Sequence, residues 1–332
     1  MWRGFEPRHS RVFVSLSKSY DVVIDPQDPE ILVFSCFGMD HLDFDCVKLF
    51  VTGENIVPDF NLCDYAIGYH HLTFEDRYLR TSATSADDLF NDAAAVRNEV
   101  ATTDLTARRF CNFIYSNGAA DPVRDKLFHL LNDKKPVASL GHYLKNSDDV
   151  NLNRPGVDWG TSKIAVQRGF NFTIAFENSE TSGYTTEKIA HAFMAGTIPI
   201  YWGDPRIAED FNPRAFIHLR DFETPQDCAN FVITLSEDAE RMAAYLSEPV
   251  FRDNRVPDHL SDAHFDSFLN TIVSQPPAAR PRRAPHGGRG NTYIRQRQAE
   301  QRILRKHAKF KRILRRFSPD RVVQFYARFF RR

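Results

Sequence analysis

The sequence predicts an α/β fold built on parallel sheets, followed by a basic helical segment at its C-terminal end. Short apolar runs separated by turns recur along the chain, and unbroken ones such as Ile31–Phe34 are typical of strands covered on both faces. In the second half these runs alternate with helical patterns, as they do in doubly wound sheets. The third observation is a charge asymmetry, because 18 of the 43 basic residues follow residue 275.

The formal net charge of the 332 residues is zero, but two parts of opposite sign produce it. Residues 276–332 contain 18 Lys and Arg and two acidic residues, so residues 1–275 carry a net charge of −16. Such asymmetry indicates an anionic partner for the C-terminal segment alone. A hydrophobic content of 42% excludes a chain that is disordered throughout.

The start of the sequence and its cysteines bear on the cellular compartment. Met1–Arg3 lead directly into charged sequence without the apolar core of a signal peptide, and no stretch has the roughly 18 apolar residues that a membrane span needs. The five cysteines contain no CxxC pair. We therefore expect a cytoplasmic protein with reduced thiols.

Residues 1–105 are predicted to form the first of two domains. Apolar runs bounded by turn residues predict its strands, at Tyr20–Ile24, Glu30–Cys36, Val47–Val51 and Tyr65–Tyr69. Residues 81–107 are small and polar without a strand period. A surface excursion or a crossing between the domains is expected there.

Residues 106–275 are predicted to form a second, doubly wound domain. Asp121 and Pro122 are an N-cap and a first-turn proline, and they predict a helix that continues to Leu131. The other predicted elements are strands at Phe110–Ser116, Phe172–Phe176, Thr197–Tyr201 and Ala215–Leu219, and helices at Thr185–Ala195, Pro225–Ser236 and Glu237–Leu246. This alternation is typical of a parallel sheet with helices on both faces.

The C-terminal part is predicted to contain a flexible linker and a membrane-associating tail. Residues 276–297 are rich in Pro, Gly and Arg, which favours a linker. Residues 298–332 contain basic amphipathic helices, with Ile303 and Phe310 on one apolar face and a second helix beginning at Ser318. An anionic membrane surface is the expected partner. The alternatives are a tail folded back on the acidic body and a nucleic-acid arm, and the aromatic stripe favours the membrane over nucleic acid.

The segment FENSETSGYTTEK, residues 176–188, predicts an anion site. A strand ends at Phe176, a Gly-containing loop follows, and a helix N-terminus offers free N–H groups near Thr186. Lys188 in the first turn would add a positive charge suited to a diphosphate, while Glu187 and Asn178 could hold sugar hydroxyls. The alternative is that Glu187 only completes a cap and that Lys188 is solvated.

The run from Phe170 to Phe222 resembles the donor-binding signature of the α1,3/4-fucosyltransferases, glycosyltransferase family ten, of the bacterial type. A second block, VTGENIVPDFNLCDYAIG at residues 51–68 with DRYLR at residues 76–80, is similar to the acceptor-side domain of that family. The resemblance implies a GT-B fold, in which two Rossmann-like domains face a cleft. It also implies inverting transfer of L-fucose from GDP-fucose to a glycan, for which we expect O3 of N-acetylglucosamine in lipopolysaccharide or another surface glycan.

The resemblance also implies roles for individual residues. Glu54 matches the general base that takes the proton from the acceptor hydroxyl. The positions that match donor contacts are Arg124 and Lys188 for the diphosphate, with Tyr184, Glu187 and Asn178 beside them. The growing negative charge of the leaving group needs fixed cations rather than a proton donor. The GT-B resemblance implies that no cofactor is required, although a divalent metal could stimulate the reaction. Asp43-Phe44-Asp45 has a DxD form and is interpreted as a solvated turn.

Three further expectations complete this interpretation. The alternative functions are a GT-B transferase that uses another nucleotide sugar, and a non-catalytic protein that binds membrane or nucleic acid. Trp2–Phe5 match the loop after the first strand of the acceptor-side domain, so either that strand is missing or the true start lies upstream. We expect the protein to lie on the inner face of a membrane as a peripheral protein.

Overall fold

Two parallel sheets organise the computed structural model, which describes residues 5–100, 104–147, 158–283 and 288–314. The first sheet has the order β1-β2-β3-β4, formed by Ile31–Phe34, Val47–Val51, Tyr65–Gly68 and Tyr78–Arg80. The second has the order β6-β5-β7-β8-β9, with β5 at Arg109–Phe113, β6 at Val137–Ser139, β7 at Phe170–Phe176, β8 at Ile198–Trp202 and β9 at Ile217–His218. Every strand pair is parallel, which confirms the predicted sheet type.

Helices cover both sheets. They are α1 (Arg11–Ser17), α2 (Ala86–Val100), α3 (Pro122–Asn132), α4 (Trp159–Gln167), α5 (Glu187–Met194), α6 (Pro225–Leu235), α7 (Ala239–Ser247), α8 (Asp262–Ser274) and α9 (Gly288–Leu314). The predicted capping signal at Asp121 is confirmed, since its side chain accepts from the N–H of Val123. At α6, Thr224 and Asp227 form a reciprocal capping box.

Side chains of the first sheet alternate between two different layers. Leu49, Tyr65 and Ile67 pack against α1 and α8 in one cluster. Phe50 and Ala66 point to the other face, which the connections between the strands cover. One predicted strand is wrong: Tyr20–Ile24 lies outside the sheet, because this run stays near the surface and Val23 is 80% exposed.

The second sheet is buried on both faces. All seven residues of β7 are buried, as its apolar sequence predicts. Alternate residues of β7 and β8 face α3 and α6 on one side, and α2 and α5 on the other. This arrangement is the doubly wound layer that the alternation of strand and helix patterns predicts.

Helix α2 occupies much of the segment that the sequence analysis interprets as a polar surface excursion. Its buried face consists of Ala86, Leu89, Ala93 and Val96, which lie at helical spacing. Half of these side chains are alanine, so the apolar period is weak in the sequence. The helix crosses from the first sheet to the second and packs against α5.

The segment predicted as a flexible linker makes specific contacts with the first sheet. Asp64 is fully buried, and its carboxylate accepts from the N–H groups of Arg282 and Arg283 and from Nε of Arg283, at 2.8, 2.9 and 2.9 Å. The backbone N–H of Lys48 donates to the same carboxylate at 2.8 Å. The prediction of a linker is therefore wrong for residues 276–283, and α9 already begins at Gly288. The reason is that acidic partners distant in sequence bind these arginines.

The remainder of the predicted tail is only partly described. Helix α9 includes the predicted apolar positions Ile303 and Phe310, and both are exposed, at 64% and 37%. Residues 315–332, with the second predicted helix, lie outside the described residues. Within the described ranges, none of the helices combines the length and the apolar character that crossing a bilayer requires.

We expect Asp64→Ala to lower the free energy of unfolding by about 3 kcal/mol, because it leaves the guanidinium of Arg283 and three backbone N–H groups without their acceptor. Denaturant unfolding at pH 7 measures this. Asp76→Ala is the matched control: it breaks a more exposed pair with Arg282 and should lower stability by less than about 1 kcal/mol. Equal losses in the two variants would contradict the importance of the buried contact.

Candidate active site

The candidate site lies where the carboxyl ends of the two sheets meet. Glu54 follows β2, and the loop 177–186 follows β7 and leads into α5. The side-chain amide of Asn55 joins them, since Nδ2 donates to Ser179 Oγ at 2.6 Å and to Thr181 Oγ1 at 2.7 Å. The loop that carries Glu54 is therefore fixed against the loop that carries the predicted anion site.

A glycine permits the close approach of these two parts. Gly183 has φ of +91°, and a Cβ atom there would lie 2.3 Å from the carbonyl oxygen of Tyr69. The next residue, Tyr184, is 2% exposed, and its ring meets that of Tyr69 edge-on at 5.7 Å. Tyr184 is thus a buried wall of the site, at the position that the sequence analysis assigns to a donor contact.

Glu177 organises the start of α5. Its carboxylate is fully buried and accepts from the N–H and the hydroxyl of Thr186, at 2.7 and 2.8 Å, and from Nζ of Lys188 at 2.9 Å. Burial raises the pKa of Glu177, and the charge of Lys188 opposes that shift. No role for Glu177 is predicted from the sequence, although an acidic residue directly after a buried strand is a signal that could have indicated one.

Lys188 remains a cation in this setting. Burial lowers its pKa, but the carboxylates of Glu177 and Glu187 outweigh burial, and the pKa of Lys188 lies well above its usual value. Its Nζ donates to Glu177 and, at 2.8 Å, to Thr186 Oγ1. Since an ammonium group has three donors, one N–H remains for a ligand. The alternative of a solvated Lys188 is therefore wrong.

Two lysines keep Glu187 ionised, Lys188 and a second one, Lys163, that no sequence motif indicates. Burial raises the pKa of Glu187, but the charges of Lys188 and Lys163 outweigh it and hold the pKa at about 2. Lys163 lies on α4 and is only 4% exposed, and burial lowers its pKa to about 8. No sequence motif marks Lys163, because α4 brings it to the site only through packing against α5.

Arg124 is fully buried on α3, on the other side of β7. Its guanidinium lies 4.6 Å from the ring centre of Tyr115 and 5.1 Å from that of Tyr143, and Nη2 donates to the carbonyl of Asn117 at 3.0 Å. Among the described residues, Nη1 is buried without a hydrogen-bond partner. A ligand oxygen is the kind of group that would satisfy it.

Tyr115 lies within electrostatic reach of both cations, Lys188 and Arg124. Burial raises the pKa of Tyr115, whereas the charges of Lys188 and Arg124 both lower it, so both cations act on the same hydroxyl. That hydroxyl accepts from the N–H of Phe176 at 2.7 Å, at the end of β7. The carbonyl of Asn178 accepts from the N–H of Asp121 at 2.9 Å and ties the loop to the start of α3.

Glu54 lies at the exposed side of this cluster. Its N–H donates to Thr52 Oγ1 at 3.0 Å, and its side chain is exposed. Burial raises the pKa of Tyr184, and the charge of Glu54 adds to that increase, which places the carboxylate within electrostatic reach of the tyrosine. The structure thus brings Glu54, Tyr184, Glu187 and Lys188 to one place, with Arg124 and Asn178 at the adjoining end of β7. Their roles remain predictions.

The DxD sequence lies in a separate part of the molecule. Asp43 accepts from Gln301 Nε2 at 3.1 Å and pairs with Arg305, so it contacts α9 rather than solvent alone. The interpretation as a solvated turn is wrong in this respect. In the part of the chain that the structure describes, His, Cys, Asp and Glu side chains do not form groups of three or more that could hold a metal ion.

Comparisons with known proteins agree with this geometry. The α-(1,3)-fucosyltransferase FucT N-terminal domain matches residues 1–84, and the C-terminal domain of glycosyltransferase family 10 (fucosyltransferase) matches residues 106–252. The α-(1,3)-fucosyltransferase FucT of Helicobacter pylori is 32% identical in an alignment of 275 positions that covers 70% of this chain and 55% of that protein. The chain therefore spans about half the length of this relative.

Solved structures show the same fold. A crystal structure of an α1,3-fucosyltransferase with GDP superposes with a TM-score of 0.67 and 27% identity, covering 81% of this chain and 85% of that one. A second, with GDP-fucose, has a TM-score of 0.66 and 27% identity, and it covers 81% and 86%. The expected GT-B fold is confirmed. The chain belongs to glycosyltransferase family 10, the fucosyltransferases.

Proposed function

We propose that this protein is an inverting fucosyltransferase that moves L-fucose from GDP-fucose to a glycan hydroxyl. The observation that carries the proposal is the contact of Asn55 with Ser179 and Thr181, because it ties the loop that carries Glu54 to the loop that leads into α5. The similar proteins indicate the donor. An α-(1,3)-fucosyltransferase and a structure with bound GDP-fucose are among them.

The donor diphosphate would lie between Lys188 and Arg124. Each of these side chains has a donor left over, the third N–H of Lys188 and the buried Nη1 of Arg124. Both charges are fixed by the protein core, so they need little reorganisation when negative charge develops on the leaving group. The ionised carboxylate of Glu187, at the first turn of α5, is placed to accept hydrogen bonds from donor hydroxyls.

Transfer would then require one proton acceptor. The acceptor oxygen attacks C1 of fucose on the face opposite GDP, its proton passes to the carboxylate of Glu54, and the bond from C1 to the β-phosphate oxygen breaks. The electron pair of that bond leaves with GDP, where Lys188 and Arg124 stabilise it. This series of steps inverts the configuration at C1 and requires neither a metal nor another cofactor. A divalent metal would at most stimulate the reaction.

We propose a glycan containing N-acetylglucosamine as the acceptor, with transfer to O3, in lipopolysaccharide or a similar surface glycan. Ile56 and Val57 follow Glu54 and are 43% and 57% exposed. Exposed apolar side chains of this kind suit the C–H face of a sugar ring, since burying that face removes apolar area from water. The proposed linkage follows the similarity to the Helicobacter pylori protein, an α-(1,3)-fucosyltransferase.

We also propose that the protein is peripheral on the cytoplasmic face of an anionic membrane, through its C-terminal segment, and that it has no nucleic-acid partner. Ile303 and Leu304 are 64% and 58% exposed on α9, among the exposed cations Arg302, Lys306 and Lys309. An apolar surface flanked by cations is typical of helices that lie in a membrane interface. Other residues of α9, Gln301 and Arg305 among them, contact the acidic body, so the described part of the tail is also folded back, as one of the alternatives expected.

The donor assignment predicts selective binding of guanine nucleotides without metal. In calorimetry, the protein should bind GDP and GDP-fucose but not UDP. Lys188→Met should weaken GDP binding by about 100-fold, the value of a charge-assisted hydrogen bond to phosphate. Glu54→Gln should bind GDP normally but transfer fucose about 1,000-fold more slowly, because the proton acceptor is lost.

Two control variants and a thermal melt make this result decisive. Lys126→Met and Glu180→Gln change exposed charges on α3 and in the loop after β7, and both should behave as wild type. Selective binding of UDP would favour a transferase for another nucleotide sugar. A folded wild-type protein that binds none of the three would favour the non-catalytic protein.

GDP affinity should fall above pH 8. Lys163 has a folded pKa of about 8, so it is cationic below that pH and neutral above it. Loss of this charge beside Lys188 and Glu187 should weaken diphosphate binding about ten-fold between pH 7 and pH 9, the size of one partly screened charge interaction. Lys163→Arg stays cationic and should keep GDP affinity flat over this range in calorimetry. An equal decline in Lys163→Arg would refute the assignment to Lys163.

The exposed side of α9 should control binding to vesicles. We expect wild-type protein to sediment with phosphatidylglycerol vesicles but not with phosphatidylcholine vesicles. A variant with Ile303→Ser, Leu304→Ser, Lys306→Glu and Lys309→Glu should stay in the supernatant and bind GDP normally. Lys126→Glu with Lys134→Glu makes the same charge change elsewhere and should still sediment. If both variants are released alike, general electrostatic attraction explains the binding instead of α9.

A further inference from the structure

The connections between the first strands of the acceptor-side sheet contain no α-helix. Residues 35–46 join β1 to β2 through a short 3-10 turn at Asp40–Asp43, and residues 52–64 join β2 to β3. Both lie on the face opposite α1 and α8, over the small cluster around Phe50 and Ala66. Connections without a regular helix rely more than helical ones on neighbouring elements to stay in one conformation.

Helix α9 packs on the first connection through a buried side chain. Gln301 is only 4% exposed, and its Nε2 donates to the carbonyl of Met39 at 2.8 Å and to Oδ1 of Asp43 at 3.1 Å. One turn later, Arg305 pairs with Asp40 at 2.6 Å and also with Asp43. The 3-10 turn is therefore held at its backbone and at both of its acidic side chains.

The same helix holds the second connection. The hydroxyl of Tyr293 donates to Oδ2 of Asp59 at 2.5 Å, and Arg297 Nε donates to that hydroxyl at 3.3 Å. Asp59 in turn accepts from the N–H of Asn61 at 2.9 Å, so it fixes the turn around itself. Tyr293, Gln301 and Arg305 thus lie on one side of α9 and reach two separate connections.

These two connections meet beside the proposed base. Cys36 Sγ lies 3.5 Å from Thr52 Oγ1, which accepts from the N–H of Glu54 at 3.0 Å. The exposed apolar residues Ile56 and Val57 belong to the second connection. An acceptor sugar whose hydroxyl reaches Glu54 must therefore lie against segments that α9 holds.

We propose that α9 is a brace that positions the acceptor side of the active site, with Tyr293, Gln301 and Arg305 as positioning residues. This proposal rests on the proposed function. The brace holds the connections in the conformation that binds the acceptor, so the acceptor does not have to order them. Among the described residues, the hydrogen bonds of Tyr293, Gln301 and Arg305 to other elements go to the connections of the first sheet, so we expect the donor side, on the second sheet, to be independent of them.

The test uses the full chain with Tyr293→Phe, Gln301→Ala and Arg305→Ala combined. The acceptor is a soluble oligosaccharide containing N-acetylglucosamine, so membrane binding does not enter. We expect KM for the acceptor to rise about ten-fold, while the Kd of GDP stays within about two-fold of wild type. Hydrogen exchange should quicken in peptides from residues 35–46 and 52–63 and stay unchanged in β7 and α5.

Two comparisons separate positioning from a general effect on structure. Arg302→Ala with Lys306→Ala removes exposed cations from the other side of α9 and should leave the acceptor KM unchanged. A triple variant with Arg305→Lys in place of Arg305→Ala should recover part of the affinity for the acceptor, because the ion pairs with Asp40 and Asp43 return.

Each other outcome overturns the proposal. An unchanged acceptor KM in a folded triple variant shows that the brace does not position the acceptor. Loss of GDP affinity together with a raised KM shows that α9 serves the stability of the whole protein. A wild-type protein that binds GDP but transfers no fucose overturns the proposed function instead, and the exchange data then still decide whether α9 restrains the two connections.

Discussion

The geometry of the site depends on one buried carboxylate, Glu177. An isolated carboxylate at this depth would be several kcal/mol too costly to ionise. Three donors offset that cost, two from Thr186 and one from Lys188. Gly203 leaves the space, since a Cβ atom there would lie 2.5 Å from Glu177 Cγ. The pair therefore adds little net stability and instead fixes where the cation and the start of α5 lie.

A second constraint joins this donor half to the other sheet. Several contacts do so: the amide of Asn55 bridges the connection after β2 to the loop after β7, and Gly183 lets that loop touch the backbone at Tyr69. Arg80, at the end of β4, also pairs with the buried Asp210. A reaction between a donor on one sheet and a base on the other depends on a short distance between the loop that carries Glu54 and the loop that leads into α5. A misplacement of about one ångström can change a reaction rate by about 100-fold. These small polar contacts therefore matter more for the reaction than their contribution to the stability of the fold suggests.

Local signals in the sequence are sufficient to predict most helices and strands. Features that depend on tertiary contacts could not be predicted from such signals. The apolar runs of β2 and β7 and the cap at Asp121 are properties of neighbouring residues, so they could be predicted. Helix α2 was missed because alanines form half of its buried face. The pairing of Arg282 and Arg283 with Asp64 spans more than 200 residues, so composition alone suggested a solvated linker. Glu54, Arg124 and Lys188 are predicted from family resemblance, whereas Lys163 and the partners of Glu177 become visible only in the packing of the helices.

The zero net charge of the chain is best understood through α9. The body carries −16 and should repel an anionic surface, but part of the basic segment neutralises it locally, as Arg305 does at Asp40 and Asp43. The cations Lys306 and Lys309 remain exposed on the same helix. A helix is about 10 Å across, and charges in physiological salt are screened over about 8 Å. One helix is therefore thick enough to separate the acidic body from a membrane while it holds the acceptor side of the cleft.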